Sequence, residues 1–375
     1  MENIGLNSEV STGGKNFHIQ TQYSESTEKI VSNIFDNGKV IVARGMEIKS
    51  NTPARDIKLH VNQLHQDVIA DLEMLFFISE KVRSVRHSVS NNKLGLVFLK
   101  RNLFDEAIAE FERAVEIDPD FGEAYNNLGS AYLKRKSYPE AIDAFTRGIE
   151  KNVGYADLHN NLGYAYFCAN KYPEAIHQIK TALEKNPKFV HATFNICQVY
   201  LKTIIDELPD FDSASIAERI EKVKELLTSI VDQNQYFKTN YLESAIDYLT
   251  QNNFPEAMKL FEMAASDLPE KIELDYESEF YLKFMFGGKG KDNDFIFEYT
   301  KGLKQAVANY PEYADLRNNL GIAYLIQCRN LFLNALDEFR QALEIDPDYK
   351  KAEKNLKLAE NDGKGFLILL RAILK

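Results

Sequence analysis

Hydrophobic and polar residues alternate along the N-terminal part of the chain. Alternation with a period of two is typical of a half-buried β-strand, because successive side chains point to opposite faces of the sheet. It occurs in two segments, one containing Phe17, Ile19, Thr21 and Tyr23 and the other containing Val40, Val42, Met46 and Ile48. An apolar run, 29–35, lies between them and is followed by Asn37-Gly38, which favours a hairpin turn. The pattern predicts a three-stranded antiparallel sheet.

The flanks of this predicted sheet differ from each other. Residues 1–15 are polar and contain glycine, so we expect them to be disordered. After Thr52-Pro53 the hydrophobic period becomes that of an α-helix. One face of this helix is apolar and consists of Ile57, Val61, Leu64, Val68, Leu72 and Leu75. We expect this long helix to lie over the sheet, so that residues 16–87 form one small module.

From residue 88 onward a pattern of residue types repeats every 34 residues. Three units, 88–121, 122–155 and 156–189, follow one another without a gap. Their Leu-Gly pairs are Leu94-Gly95, Leu128-Gly129 and Leu162-Gly163, and each pair is followed by an aromatic residue and then by a second helical stretch. Each unit is predicted to form two amphipathic helices, and its small Gly and Ala residues let the two helices approach closely.

The later units keep the pattern with interruptions. The fourth starts in register but contains an insertion, 206–213, before a long helical stretch, and the fifth, 238–271, is regular. The sixth is interrupted at 287–290 by Gly-Gly-Lys-Gly. The seventh has Leu320-Gly321 and Phe339 in place, and we expect two extra residues between its two helices.

These recurring residue types resemble the tetratricopeptide-repeat (TPR) family, in its bacterial form, over residues 88–349. The resemblance implies a mainly α-helical solenoid of about six to seven helix-turn-helix repeats, two of them with insertions, behind the small sheet-and-helix module. One repeat cannot bury its apolar face alone, so neighbouring repeats supply the core and the ends need caps. We therefore expect residues 350–375 to form C-terminal capping helices.

The end of the chain contains an apolar run, Phe366–Leu374. At about ten residues it is too short to cross a bilayer. Three interpretations stay open: a cap on the last repeat, a contact with a partner or a second copy of the chain, and association with a membrane surface.

Composition and charge narrow the classes of partner. The chain is 45% hydrophobic and 27% charged, as is usual for a folded soluble protein. Its 45 Lys and Arg against 56 Asp and Glu give a formal net charge of −11, which disfavours nucleic acid and anionic membranes as partners. We see no signal peptide and no membrane-spanning run, so we expect a cytoplasmic protein.

Residue patterns of catalysis are not evident. The three cysteines, Cys168, Cys197 and Cys328, lack metal-ligand spacing. His60 and His65 lie five positions apart, which does not place them on one helix face, and we expect both at the surface. The segment 287–290 lacks the spacing of a phosphate-binding loop. We therefore expect no enzyme activity, no metal and no cofactor.

The family resemblance also implies which side chains face a partner. In TPR domains the first helices of successive repeats line a concave groove, and the sixth position is asparagine in four units here: Asn127, Asn161, Asn195 and Asn319. An amide both donates and accepts hydrogen bonds, which suits the backbone of an extended peptide. The alternative is that these asparagines brace neighbouring helices. Other groove positions complete the predicted binding set: Asn126, Asn160, Tyr164, Phe167, Phe194 and Lys134.

The leading hypothesis is a scaffold or adaptor that binds an extended apolar or basic segment of a partner protein. Chaperone-binding TPR domains need basic residues where this chain has Glu123 and Asp157, so we do not expect a chaperone tail as the ligand. Two other hypotheses stay open: a self-assembling structural or coat subunit, which would include a homo-oligomer formed through Phe366–Leu374, and a regulatory subunit of an enzyme encoded nearby.

Overall fold

The chain is mainly helical, as predicted, and is divided into two compact units. The structure is a computed structural model that describes residues 4–49, 52–151, 155–233, 240–267, 275–311 and 313–360. The two units are Met1–Ser278 and Glu279–Lys375. The division falls inside the stretch 88–349 that the repeat pattern assigns to a single solenoid.

The first unit begins with a four-stranded antiparallel sheet, so the prediction of three strands was wrong. Its strands are neighbours in chain order: β1 (Gly5–Thr12), β2 (Lys15–Ser24), β3 (Lys29–Asp36) and β4 (Lys39–Glu47). The additional strand, β1, comes from the segment that we expected to be disordered. Gly13 and Gly14 join it to β2 with φ angles of 59° and 76°, a conformation that glycine adopts without the clash that a Cβ would cause.

One face of the sheet packs against the long helix α1 (Ala54–Arg83). Phe17, Ile19, Ile30 and Ile34 are buried on that face, and so are the six α1 residues of the predicted apolar face, which confirms it. The predicted face of β4 holds for Val42 and Met46, which pair with the buried Ile34 and Ile30, and for the buried Ile48. It fails at Val40, because a register shift opposite Ile34 and Phe35 buries Ile41 and leaves Val40 47% exposed. A bulge of one residue exchanges the two faces of a strand.

A polar cluster lies between the sheet and α1. His65, which we expected at the surface, is buried there. The Thr21 hydroxyl donates to Ser32 Oγ at 2.7 Å, so His65 donates from Nδ1 to Thr21 Oγ1 at 2.8 Å and accepts the Ser8 hydroxyl at Nε2, also at 2.8 Å. Burial lowers the pKa of His65, because an imidazolium there would lose its hydration.

Seven helices follow α1 and pack against one another in chain order. They are α2 (Ser88–Lys100), α3 (Phe104–Ile117), α4 (Gly122–Lys134), α5 (Tyr138–Lys151), α6 (Ala156–Cys168), α7 (Tyr172–Lys185) and α8 (Val190–Ile205). The first six form three hairpins, one for each predicted unit. Inside each hairpin a glycine faces a large side chain: a ring carbon of Phe145 lies 2.5 Å from the place of the Cβ that Gly129 lacks.

The fourth unit departs from the repeat where the insertion was predicted. The inserted residues form a small hairpin, β5 (Asp210–Phe211) and β6 (Ala214–Ser215), which leads into α9 (Ile216–Gln233). Arg219 at the start of α9 is fully buried. Its guanidinium donates to Thr203 Oγ1 at 2.8 Å and to the carbonyl oxygens of Leu208 and Ser215. Arg219 therefore ties the inserted hairpin to the end of α8.

The last hairpin of the first unit consists of α10 (Asn240–Thr250) and α11 (Phe254–Asp267). Helix α11 packs against α8, and the ring of Phe261 stacks on Phe194 with 4.5 Å between the centroids. The boundary between the two units then falls within α12 (Asp275–Met285).

The second unit continues with a 3₁₀ turn (Lys289–Lys291), α13 (Asn293–Asn309), α14 (Ala314–Ile345) and a last described helix, α15, at 350–360. Phe280, Phe284, Ile296 and Ile326 form its buried core. The apolar run Phe366–Leu374 lies outside the described residues, so its three interpretations stay predictions.

The seventh unit is one continuous helix, α14, and not the predicted pair of helices. Regular units 2, 3 and 5 have Pro139, Pro173 and Pro255 as the second residue of their second helix, and proline cannot continue the helix before it. Leu333 stands at that position in α14. The buried Asn330 also holds the middle of α14 in place, since its Nδ2 donates to Asn293 Oδ1 at 3.0 Å.

Candidate partner-binding groove

Asparagine side chains link the first helices of four successive units. The Nδ2 of Asn127, Asn161 and Asn195 donates to the Oδ1 of Asn92, Asn126 and Asn160 respectively, each over 2.9 Å. In every link the sixth residue of one unit donates to the fifth residue of the unit before it. These six side chains are named the asparagine ladder, and they join α2, α4, α6 and α8.

Further bonds connect the ladder to its surroundings. Asn160 Nδ2 donates to Asn161 Oδ1 at 3.3 Å, and Asn92 Nδ2 donates to Glu123 Oε1 at 3.0 Å. Lys93, which takes the sixth position in the first unit, instead donates to Glu277 Oε1 at 3.0 Å. The ladder therefore braces neighbouring helices, which is the alternative that the sequence left open.

Sequence reasoning missed Asn92 as a member of the ladder. It assigned peptide hydrogen bonding to the sixth position of the repeat and gave Asn126 and Asn160, at the fifth position, only as further groove residues. The available signal was asparagine at the fifth position of the repeat, which recurs as Asn92, Asn126 and Asn160 at intervals of 34 residues. Two side chains that are adjacent in sequence can bond to the units before and after their own.

Bracing does not use all of the hydrogen-bonding groups. Asn92 and Asn160 are buried, whereas Asn126, Asn127, Asn161 and Asn195 are half-buried. Each amide has two donor hydrogens and an oxygen with two lone pairs. The ladder takes one N–H of Asn127 and leaves its second N–H and its oxygen for another partner.

An aromatic pair lies one turn beyond the ladder on α6. Tyr164 is 36% exposed, and its ring centroid is 6.0 Å from that of the half-buried Phe167. Burial raises the pKa of Tyr164, and the nearby Cys168, Tyr138 and Glu262 raise it further. The phenol is therefore neutral, and it offers a ring and a hydroxyl to a ligand.

The remaining predicted site residues lie in different surroundings. Phe194 is buried under Phe261, so α11 covers α8 at this point and the ring is not available to a partner. Lys134 is exposed at the C-terminal end of α4. Asn319 is half-buried on α14 in the second unit and is not part of the ladder. The candidate groove therefore consists of the exposed sides of α2, α4 and α6.

Comparison with known families identifies the repeat. A family model described as tetratricopeptide repeat matches residues 92–156 and 302–350, and a second model with the same description matches residues 156–189. The chain contains tetratricopeptide repeats. The matches at 92–156 and 156–189 together cover the three regular hairpins except for the first turn of α2. The match at 302–350 includes α14, where the TPR sequence is present without the TPR hairpin.

Several solved structures are similar to the chain. YrrB, described as a TPR protein with an unusual peptide-binding site, is 16% identical over 54% of this chain and 97% of that chain, with a TM-score of 0.35. PilF of Pseudomonas aeruginosa is 18% identical over 61% of this chain and 95% of that chain, with a TM-score of 0.37. The second TPR domain of human RPAP3, in complex with an HSP70 peptide, is 25% identical over 30% of this chain and 93% of that chain, with a TM-score of 0.29.

Comparison with the curated proteins found no match. Within the ranges that the structure describes, every helix is too short or too polar to cross a lipid bilayer. In the same ranges, His, Cys, Asp and Glu side chains do not gather into a group of three or more that could hold a metal ion.

Proposed function

We propose that this TPR protein is a scaffold or adaptor that holds an extended segment of a partner protein along α2, α4 and α6. Its TPR repeats support a role in protein–protein interaction. The observation that carries the proposal is the asparagine ladder, which places amide groups at one level of each successive helix. An extended peptide also presents its backbone amides at regular intervals.

The ladder and the aromatic pair have separate roles in this proposal. Asn127 and Asn161 meet the backbone of the segment, each through a hydrogen bond with a net value of about 1 kcal/mol. Tyr164 and Phe167 receive an apolar side chain of the segment, since aromatic rings among polar groups are the usual anchors of an interface. Glu123 and Asp157 are exposed at the starts of α4 and α6 and favour a basic residue.

Two tyrosine variants test the groove. A displayed library of random peptides is selected on the full chain, and Kd is measured for the selected peptides with the wild type, Tyr164→Ala and Tyr155→Ala. Tyr155 is 59% exposed, precedes α6 and lies outside the proposed contact, so it is the matched control. We expect Tyr164→Ala to weaken binding by about 10- to 100-fold, the range of an interface hot spot, and Tyr155→Ala to have no effect.

The opposite result would reject the groove as the binding site. If Tyr164→Ala and Tyr155→Ala both bind the selected peptides as tightly as the wild type, the peptides bind to another surface of the chain. Thermal denaturation of each variant accompanies the binding measurement, so that a loss of folding is not mistaken for a loss of binding.

A further inference from the structure

Helix α14 carries an apolar and small-residue stripe along most of its length. Its members recur at intervals of three and four residues and are Gly321, Tyr324, Cys328, Leu331, Ala335, Phe339 and Ala342. At 3.6 residues per turn they lie within an arc of about 80°, on one side of the helix. These seven residues are named the α14 seam. A repeat of this kind on a continuous helix is typical of a helix that packs along a second helix.

The first four residues of the seam are exposed in the described structure, and Ala335, Phe339 and Ala342 are half-buried. Leu331 is 68% exposed, Tyr324 is 45% exposed although the Lys304 ammonium lies 5.4 Å from its ring centroid, and Cys328 is exposed as well. A Cβ at Gly321 would meet no heavy atom within 4 Å. Exposed apolar residues in such a continuous line usually mark a contact surface.

The same residue types are buried in the regular TPR units. Gly95, Gly129 and Gly163 occupy the position of Gly321, and the large residues that correspond to Phe339 fill the space beside them: Phe111, Phe145 and Ile179. Those three large side chains are fully buried, whereas Phe339 is only partly so. The α14 sequence therefore contains both halves of a TPR helix pair, and the two halves do not meet within the chain.

The chain does not bring these halves together, because α14 has no break. Gly321 and Phe339 lie 18 positions apart on one continuous helix, which at 1.5 Å per residue separates them by about 27 Å. Bending α14 back would disrupt its middle, where Arg329 and Asn330 both bond to Gly290 and Asn330 also bonds to Asn293.

We infer that a second copy of this chain covers the α14 seam, with the two α14 helices antiparallel about a two-fold axis near residue 330. This arrangement places Phe339 of one copy at Gly321 of the other, Ala335 at Tyr324, and Leu331 at Cys328. Every pair joins a large side chain to a small one, as packed helices require. A second copy is the occupant because it supplies Phe339. This residue corresponds to the large side chain that packs beside the glycine in each regular TPR unit.

Glycine variants test the pairing through the oligomeric state of the full chain. Sedimentation velocity over a range of concentrations should show a reversible dimer for the wild type. Gly321→Leu fills a space that is open in one copy, so each copy should fold normally while the dimer dissociates at least tenfold more readily. Gly302→Leu is the matched control, because Gly302 is also a helical glycine with open space around it.

A disulfide locates the contact independently. In Leu331→Cys, the new thiol of one copy should lie beside Cys328 of the other. The added oxidant diamide should then accept the hydrogens of both thiols as the disulfide forms. We expect a covalent dimer on a non-reducing gel and a 328–331 cross-linked peptide by mass spectrometry. The double variant Leu331→Cys with Cys328→Ser should lack that peptide.

Two results would overturn the inference. One is a wild type that stays monomeric at all concentrations and does not cross-link, as it would if residues 361–375 of the same chain covered the seam. The other is a dimer that responds equally to Gly321→Leu and Gly302→Leu, because such a dimer forms through another surface.

Discussion

His65 shows how one side chain makes the stability of the first unit depend on pH. Burial lowers its pKa from the usual 6.5, so at pH values below 6.5 the unfolded chain binds a proton more readily than the folded chain does. The contribution of neutral His65 to the free energy of unfolding is therefore fully present above pH 6.5 and is lost as the pH drops below that value. The loss is up to about 1.4 kcal/mol for each unit by which the pKa in the folded chain lies below the pKa in the unfolded chain. Urea denaturation of the wild type and His65→Gln at several pH values measures this.

The glutamine variant isolates the contribution of the ring. Glutamine still donates and accepts hydrogen bonds towards Ser8 and Thr21 but does not titrate. Its free energy of unfolding should therefore change less between neutral and acidic pH than that of the wild type. Parallel pH profiles for the two proteins would show that His65 does not contribute.

Gly129 shows how the repeat depends on the absence of a side chain. A Cβ at this position would lie 2.5 Å from a ring carbon of Phe145, which is fully buried and has little room to move. Gly129→Ala should therefore reduce the free energy of unfolding by about 1–3 kcal/mol, the usual cost of overpacking. Gly302→Ala adds the same methyl group in open space within α13 and should be neutral or stabilise by up to about 1 kcal/mol. Chemical denaturation of both variants makes the comparison.

At the scale of elements, the inserted hairpin of the fourth unit depends on Arg219. Arg219→Met keeps much of the side-chain volume but leaves Thr203 Oγ1 and the carbonyl oxygens of Leu208 and Ser215 without their donor. Each buried group without a partner costs about 1–3 kcal/mol, so we expect a loss of about 3 kcal/mol or more. Arg219→Lys should not restore it, because an ammonium does not reproduce the planar guanidinium. Urea denaturation measures the loss, and faster hydrogen exchange at 208–215 locates it.

Sequence pattern predicted the elements whose packing is apolar. The buried face of α1 and the three regular hairpins follow from the hydrophobic period alone, because these helices pack through their apolar side chains. Strand β1 was missed because only Leu6 and Val10 among its eight residues are large and apolar, and a hydrogen bond from Ser8 to His65 helps to hold it. The helix break expected in α14 was wrong because the apolar period continues through the position where units 2, 3 and 5 have proline.

The candidate groove was less predictable than the fold. Position six of the repeat indicated Asn127, Asn161 and Asn195, and the structure joins them in one ladder. The burial of Phe194 could not be read from the repeat, because it depends on α11, which packs against α8 after an irregular insertion. A contact between distant elements of this kind leaves no periodic signal in the sequence.

At the scale of the whole molecule, the ladder couples each repeat to the next, and the coupling should be unequal along it. Asn160 takes part in two bonds, since it accepts from Asn195 and donates to Asn161, and it is buried. Asn126 accepts from Asn161 alone through its side chain and is half-buried. Asn160→Ala should therefore cost about 2–3 kcal/mol of unfolding free energy, and Asn126→Ala about 1 kcal/mol.

Far-UV circular dichroism in urea compares these two variants with the wild type. In a stack of repeats the stability is the sum of the units and of the contacts between neighbours, so a broken link weakens the whole array and not only one hairpin. A larger loss for Asn160→Ala, with the transition still cooperative, means that the ladder contributes to each interface according to the bonds it makes. Equal losses would mean that water replaces these amide bonds at little cost and that apolar packing between the hairpins alone holds the repeats together.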